Sequence, residues 1–404
     1  MRVLISGASV AGPALAYWLR RHGFTPTVVE RAPALRKSGG HAVDLFRPAM
    51  DIAEKMGVIE QIEARKTGTD RLIMYREGVA RPVEVSVGRL MGAVSDRHAE
   101  IMRDDLSEIF HDATKDDVEY VFDDSITSIS ENGEVTFERG APRGFDLVIG
   151  ADGLHSNVRR LVFGEESRFS AFVGAYLAVA SVPNRFGSDG DSVVHTAPGR
   201  MGGVYSARHL DDARAVFLFR SAEPLDYHHR DVDRQKELLR RAFAGMGGLI
   251  PSLLAELDTT PAFYFDSITQ LRMDTWSRGR VSLVGDAGYC PGPAIGGSTS
   301  LAVVGAYVLA GELAAAGGDH TRAFAAYERE LGDYVRRSRA FALGAAKRLI
   351  PADHTELRVT AGVLRLVEHL PERLTRALTK LNAKGVRLHD EVELKDYTAA
   401  LAAK

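Results

Sequence analysis

One cysteine and two tryptophans among 404 residues are the scarcest features of this chain. The lone thiol, Cys290, excludes an internal disulfide and suits a reducing compartment. As a small side chain in a glycine-rich loop, it is expected to be buried and inert. Net charge is nearly lacking too. Fifty-one Lys and Arg against 54 Asp and Glu leave −3, without the basic footprint of a nucleic-acid binder. No apolar run reads as a membrane span, and the opening MRVLISGAS meets glycine too early for a secretion signal. Repeats, low-complexity tracts and metal-ligand spacings are absent from the sequence, so no metal and no membrane partner is expected. The expectation is a cytoplasmic globular protein, with a hydrophobic share of 45% and length for two or three domains.

What is present begins with a short apolar run, RVLIS, that stops at Gly7. A helical stretch with Leu15, Trp18 and Leu19 on one face follows, and PTVVE then forms a strand ending at Glu30. This is a strand, glycine turn, helix and strand, a βαβ unit. Gly7-Ala-Ser9-Val10-Ala11-Gly12 matches the dinucleotide fingerprint G-x-G-x-x-G except for Ser9 at the middle glycine. An acid closing the second strand, as Glu30 does, accepts hydrogen bonds from ribose hydroxyls and repels a 2′-phosphate. The first motif therefore suits FAD or NAD rather than NADP.

Two further strand-like runs end in acids: Asp152-Gly153 in VIGADG and Gly285-Asp286 in LVGDA. Unpaired buried carboxylates are costly, so both read as acceptors for sugar hydroxyls of an extended dinucleotide. NAD alone leaves Asp286 and the loop after it without purpose. FAD reaches further, with its ribityl chain at Asp286 and its ring over the helix that begins near Gly296. Elsewhere, residues 71–88 alternate as two strands, His98–Ala113 read as an amphipathic helix, and residues 172–265 are rich in aromatic and β-branched strands. The expected fold is α/β. A discontinuous nucleotide domain (1–70, 98–171, 266–345) is interrupted by a mostly β substrate domain (71–97, 172–265), and 346–404 form a helical C-terminal segment.

The fingerprint with Glu30, Arg103 in IMRDDL, Asp152-Gly153 in DLVIGADGLHSNVR and Gly285-Asp286-Ala287 in GRVSLVGDA come in a recognisable order. In that order the chain resembles the single-component FAD-dependent aromatic hydroxylases of the para-hydroxybenzoate hydroxylase fold. The likeness covers roughly residues 1–345 and is strongest to the branch with tetracycline-inactivating and antibiotic-tailoring monooxygenases. It implies that Arg103 contacts the ribityl and pyrophosphate region, and that Asp152 and Arg159 form the shared FAD and NAD(P)H motif, with Asp152 mainly structural and supporting. By the same resemblance Gly296, Gly297, Ser298 and Thr299 present backbone amides to the flavin. Arg31, Gly40, Asp44, Ser125, Ile126 and Pro293 complete the implied cofactor contacts. Arg36 or Lys37 either meets the flavin or the nicotinamide cofactor, or belongs to a solvated loop. Tyr289 stands where many relatives carry histidine, and Ser298 where a glycine is usual.

The resemblance also implies the chemistry. NADPH or NADH binds transiently in an open cleft, and O2 reacts with the reduced flavin to give a C4a-hydroperoxide. That species oxygenates an aromatic or polycyclic small molecule in a monomer or homodimer. His41, His195 and Tyr289 are the candidate phenol-deprotonating groups, with no obligatory acid or base. Met201, Tyr205, Phe217, Phe219 and Pro291 are candidates for the substrate pocket, with plain core as the competing reading of the strand aromatics. Two other classes stay open: a flavoenzyme without hydroxylation (reductase, oxidase or Baeyer–Villiger type), and a protein that keeps FAD as structure and binds a metabolite.

Overall fold

The computed structural model describes residues 1–35, 39–92, 95–186, 190–228, 230–292, 297–369, 388 and 392–398. At its centre, the strands Val281–Leu283, Leu147–Gly150, Arg2–Ser6, Thr25–Glu30 and Glu119–Phe122 lie side by side in parallel. Val3, Leu4, Ile5, Val148 and Ile149 are fully buried, as continuous apolar strands covered on both faces must be. The helices Ala11–Arg21 and Ser298–Ala315 pack together on this sheet, with the rings of Trp18 and Tyr307 edge-on at 4.8 Å. By length and mean hydropathy the helix Ser298–Ala315 could cross a membrane, contrary to the sequence reading, but 78% of it is buried inside the protein. It is the core helix of the nucleotide domain.

A second, seven-stranded sheet has the order Phe263–Leu271, Ser170–Pro183, Asp212–Arg220, Arg200–Ser206, Asp191–Ala197, Arg71–Arg76, Val79–Ser86. Alternation gives it two distinct faces. One carries Tyr176, Phe217, Phe219 and Phe265 against Leu239, Phe243 and Ile250 of the helices Val232–Ala242 and Ile250–Ala255. The other carries Met201, Tyr205, Arg214, Leu218 and Tyr264 and turns toward the nucleotide domain. The domain line drawn at 265/266 falls inside the strand Phe263–Leu271, and the one at 345/346 inside the helix His320–Leu349.

One expectation about an element needs correction. His98–Ala113 is not all helix: His98–Met102 is a strand paired antiparallel with Ala42–Phe46, and the helix starts at Arg103. The segment HAEIM buries alternate residues, Ala99 and Ile101, which is the period of a strand. In the C-terminal segment His354–His369 is helical, whereas residues 392–398 form no regular element. There Tyr397 Oη and Lys395 Nζ donate to Glu312 Oε1 at 2.7 and 2.8 Å. Glu312 sits buried on an apolar helix and must find such donors.

Candidate functional site

The parallel strands Arg2–Ser6, Thr25–Glu30, Leu147–Gly150 and Val281–Leu283 end along one edge, which is where open α/β sheets bind ligands. Gly7 holds φ +108°, and a Cβ there would stand 2.5 Å from the Ala151 carbonyl oxygen. A Cβ on Gly12 would stand 1.9 Å from the Gly7 carbonyl oxygen, so turn and helix meet backbone to backbone. Gly285, at φ +67°, packs against Ala11 and Ala302, bringing the Gly285-Asp286 turn to the start of the first helix. The fingerprint and both acid-ended strands thus converge on one edge.

The three acids behave differently there. Glu30 accepts the amides of Ala8 and Ala32, each at 2.9 Å, and so binds the glycine turn to the second strand. Beside it, the amide of Asp124 donates to the Glu30 carbonyl, leading into Ser125 and Ile126, while Arg31 is exposed. Asp152 is held within the protein, the supporting role that the resemblance implies rather than the sugar contact read from the strand-end pattern. Its carboxylate takes Ser156 Oγ, the Val158 amide at 3.0 Å and Ser6 Oγ at 3.4 Å, so it fastens the helix Asn157–Val162 to the sheet. Arg159 is likewise committed within the protein, at 2.9 Å to the Ala287 carbonyl, 2.6 Å to the Leu154 carbonyl and 2.6 Å to Glu166. Gly153, at φ +80°, makes the turn between these residues.

Asp286 is the exception. Its Oδ1 is buried with no hydrogen-bond partner, while Oδ2 takes Ser298 Oγ at 3.3 Å. Burial pushes its pKa up, opposed by Cys290, Ser298 and the Arg103 charge. A buried acceptor without a donor is costly in a native fold, and a hydroxyl-bearing ligand is what it lacks. Arg103, half-buried at the start of the helix Arg103–Asp112, donates its amide to the His41 carbonyl at 3.0 Å, while its guanidinium makes no hydrogen bond or ion pair among the described residues. Ser9 is exposed at the turn, and Val10 and Ala11 begin the helix beneath it. Gly297, at φ +63°, opens the helix Ser298–Ala315 with no side-chain cap, so the amides near Ser298 and Thr299 are left for a ligand. Arg36, Lys37, Pro293 and Gly296 lie outside the described residues. Glycine turn, free cation, orphaned carboxylate and uncapped helix end fit a long, anionic, polyhydroxylated dinucleotide.

The segment from Gly39 to Asp44 roofs this edge, held from the substrate sheet. Arg214 Nε donates to the Gly40 carbonyl at 3.0 Å, and the Ala42 amide donates to Tyr205 Oη at 2.8 Å. Ser300 Oγ donates to the Asp44 carbonyl and accepts from the Phe46 amide. The Asp44 carboxylate pairs with His98 at 2.7 Å. His41 faces Tyr264, ring to ring at 5.8 Å, and burial with the nearby Arg103 charge pulls its pKa down to about 3. At neutral pH it is an uncharged imidazole.

Four other candidates fall elsewhere. His195 stacks on Tyr75 at 4.9 Å and meets the Leu249 amide, on the far face of the substrate sheet. Tyr289 is fully buried, its hydroxyl bonded to Tyr327 at 2.9 Å and its ring against Trp276. Phe217 and Phe219 belong to the far core, with Phe217 at 5.1 Å from Phe243. Met201 and Tyr205 are on the facing side, and Pro291 is buried with its carbonyl bonded to Gln270 at 2.9 Å. Cys290 is buried as expected, and burial pushes its thiol pKa well up. The sequence reading missed Tyr264, Asp266 and His155. An acid two residues after a tyrosine on an apolar strand, both on one face, was the available signal.

The family of FAD binding domains matches residues 1–342. The chain belongs to it. A flavin-dependent monooxygenase of Legionella longbeachae is 38% identical over 89% of this chain and 92% of its own. A Mycobacterium tuberculosis protein of uncharacterised activity is 46% identical over 83% and 91%. The crystal structure of tetracycline destructase Tet(51) superposes with a TM-score of 0.81 at 33% identity, covering 98% of this chain and 99% of that one. The protein is therefore an FAD-dependent monooxygenase with the FAD-dependent hydroxylase fold, and the dinucleotide that fits the edge is FAD.

Proposed function

We propose that this monooxygenase uses NADPH or NADH and O2 to oxygenate an aromatic or polycyclic small molecule, through the flavin C4a-hydroperoxide implied by the resemblance. The orphaned Asp286 Oδ1 carries the cofactor placement. In this reading Asp286 accepts from the ribityl chain, Glu30 from the adenosine ribose, and the Gly7–Gly12 turn with Arg103 holds the pyrophosphate. Bound FAD would supply hydride acceptance and oxygen activation. The chain supplies position and dryness: the roof from Gly39 to Asp44 would keep water from the ring, and His41 beneath it carries no charge at neutral pH.

The substrate lies against the partly buried Met201 and Tyr264 on the facing side of the sheet, beside an apolar core suited to backing fused rings. The likeness to tetracycline destructases Tet(51) and Tet(55), at 33% and 35% identity, supports tetracyclines as the first compounds to try. The test is NADPH oxidation by the yellow protein with tetracycline and a panel of aromatic polyketides, followed by mass spectrometry. A product heavier by one oxygen is expected. NADPH consumption that yields only peroxide with every compound would favour an oxidase, and a flavin that NAD(P)H never reduces would favour a metabolite-binding protein.

A further inference from the structure

One wall of the site is continuous with solvent through three side chains. On the strand Phe263–Leu271, Tyr264 and Asp266 share a face. Tyr264 Oη donates to Asp266 Oδ2 at 3.3 Å, and His155 Nε2 meets the same oxygen at 2.9 Å. Inward, Tyr264 faces His41 and senses the charges of Arg103 and Asp286. Outward, the His155 side chain is 53% exposed, and its Nδ1 meets Glu166 Oε1 at 3.0 Å, with Arg159 behind that carboxylate. Asp266 is buried, its Oδ1 takes the Ser267 amide at 2.8 Å, and Tyr176, Tyr227 and Cys290 are the other titratable groups that sense it.

We propose that His155, Asp266 and Tyr264 form a proton relay that delivers protons from solvent to the oxygen-reacting side of the flavin site. The proposal rests on the monooxygenase reading above. NAD(P)H, O2, a proton and the substrate give NAD(P)+, oxygenated substrate and water. Without substrate the same reactants give hydrogen peroxide, so each route takes up one proton. Tyr264 Oη gives its proton to the oxygen that leaves as water or peroxide. His155 Nε2 passes its proton to Asp266 Oδ2, which returns it to the Tyr264 phenolate, and solvent reprotonates the imidazole. Asp266, then Glu166, hold the His155 pKa up to about 10, so the imidazolium is loaded at neutral pH. Burial pushes the Tyr264 pKa well above its usual value, so the phenolate recaptures a proton at once. A cavity that excludes water needs such a conduit.

The holoenzyme tests this with NADPH and O2 alone. Tyr264→Phe is expected to slow NADPH-driven oxygen consumption about 100-fold, the lower end for a lost proton donor. Asp266→Asn should enlarge the solvent deuterium isotope effect on the same rate. His155→Ala should be slowed and then restored by imidazole in proportion to its protonated fraction, a response no structural role produces. FAD affinity, read by flavin fluorescence quenching, should stay at the wild-type value throughout. Tyr264→Phe at wild-type rate and pH profile, or a His155→Ala deficit that imidazole leaves untouched, overturns the relay and spares the monooxygenase reading. Wild-type protein that binds FAD yet consumes no oxygen with NADPH overturns both.

Discussion

Asp286 and Asp152 are both acids at the ends of parallel strands, yet only one of them is short of partners. Asp152 takes three donors from its own chain, and Asp286 keeps a buried Oδ1 without any. The strand-end pattern alone does not separate the two, because what separates them is the helix Asn157–Val162 folding back onto Asp152. Removing Asp286 should therefore have opposite effects on binding and folding. Asp286→Ala loses a charged acceptor for a ligand hydroxyl, worth about 1.5–3 kcal/mol, or roughly 10–150-fold in FAD affinity. It also relieves an unsatisfied buried charge, so the FAD-free variant should melt no lower than FAD-free wild type. Fluorescence titration and thermal melts of the two apoproteins check both halves. A variant that binds FAD as tightly as wild type would place the ribityl chain elsewhere. Tyr289 and His195 illustrate the converse limit: each is a residue type able to take a proton, but local sequence does not say which way a side chain leaves the backbone. Tyr289 leaves toward Tyr327 and His195 toward Tyr75.

At the scale of elements, the βαβ start was legible because each part has its own physical mark: an apolar run, glycines, a helical stripe and an acid. The glycines are required for different reasons. At Gly12 the obstacle is space, with a Cβ 1.9 Å from the Gly7 carbonyl oxygen. At Gly153 space is free within 4 Å and the obstacle is φ +80°. Gly12→Ala should therefore force turn and helix apart and abolish FAD binding, whereas Gly153→Ala should cost about 1–2 kcal/mol of left-handed strain and keep the cofactor. FAD retention through gel filtration distinguishes them, and equal retention would refute the backbone contact at Gly12. The misread element, His98–Met102, carries charged and apolar residues that satisfy a helical period as readily as alternation over so short a span. Its pairing with Ala42–Phe46 decides the matter, and that partner is distant in the chain. The faces of the strand Asp212–Arg220 were separable in sequence for the same reason of period. Which face meets the cofactor depends on helices about 20 to 40 residues later, and they settle Phe217 on its core reading rather than the pocket one. Truncating it tests that placement. Phe217→Ala should cost about 3–5 kcal/mol of stability. FAD affinity should be unchanged at temperatures where the variant is folded, and an altered affinity would return Phe217 to the site.

The molecule as a whole joins two sheets through side chains that titrate. His155 belongs to the turn after the strand Leu147–Gly150, while Asp266 belongs to the substrate sheet, so their contact couples the domains. Asp266 and then Glu166 raise the His155 pKa from 6.5 to about 10. Because the folded value lies above the unfolded one, the imidazolium stabilises the native state fully below pH 6.5. That contribution declines as pH rises from 6.5 and is gone once pH passes through about 10. Half of the side chain is in solvent, so screening reduces the effect to roughly 1 kcal/mol. His155→Gln keeps a hydrogen-bonding side chain but removes the charge. Denaturant unfolding of both proteins at pH 6 should show wild type more stable by that amount, and the gap should close toward pH 10. Glu166 also faces Arg159, so a gap set by general charge repulsion would persist or widen at high pH. A stability difference independent of pH would mean that His155 joins the domains as a neutral spacer, without the charge that the two carboxylates hold in place.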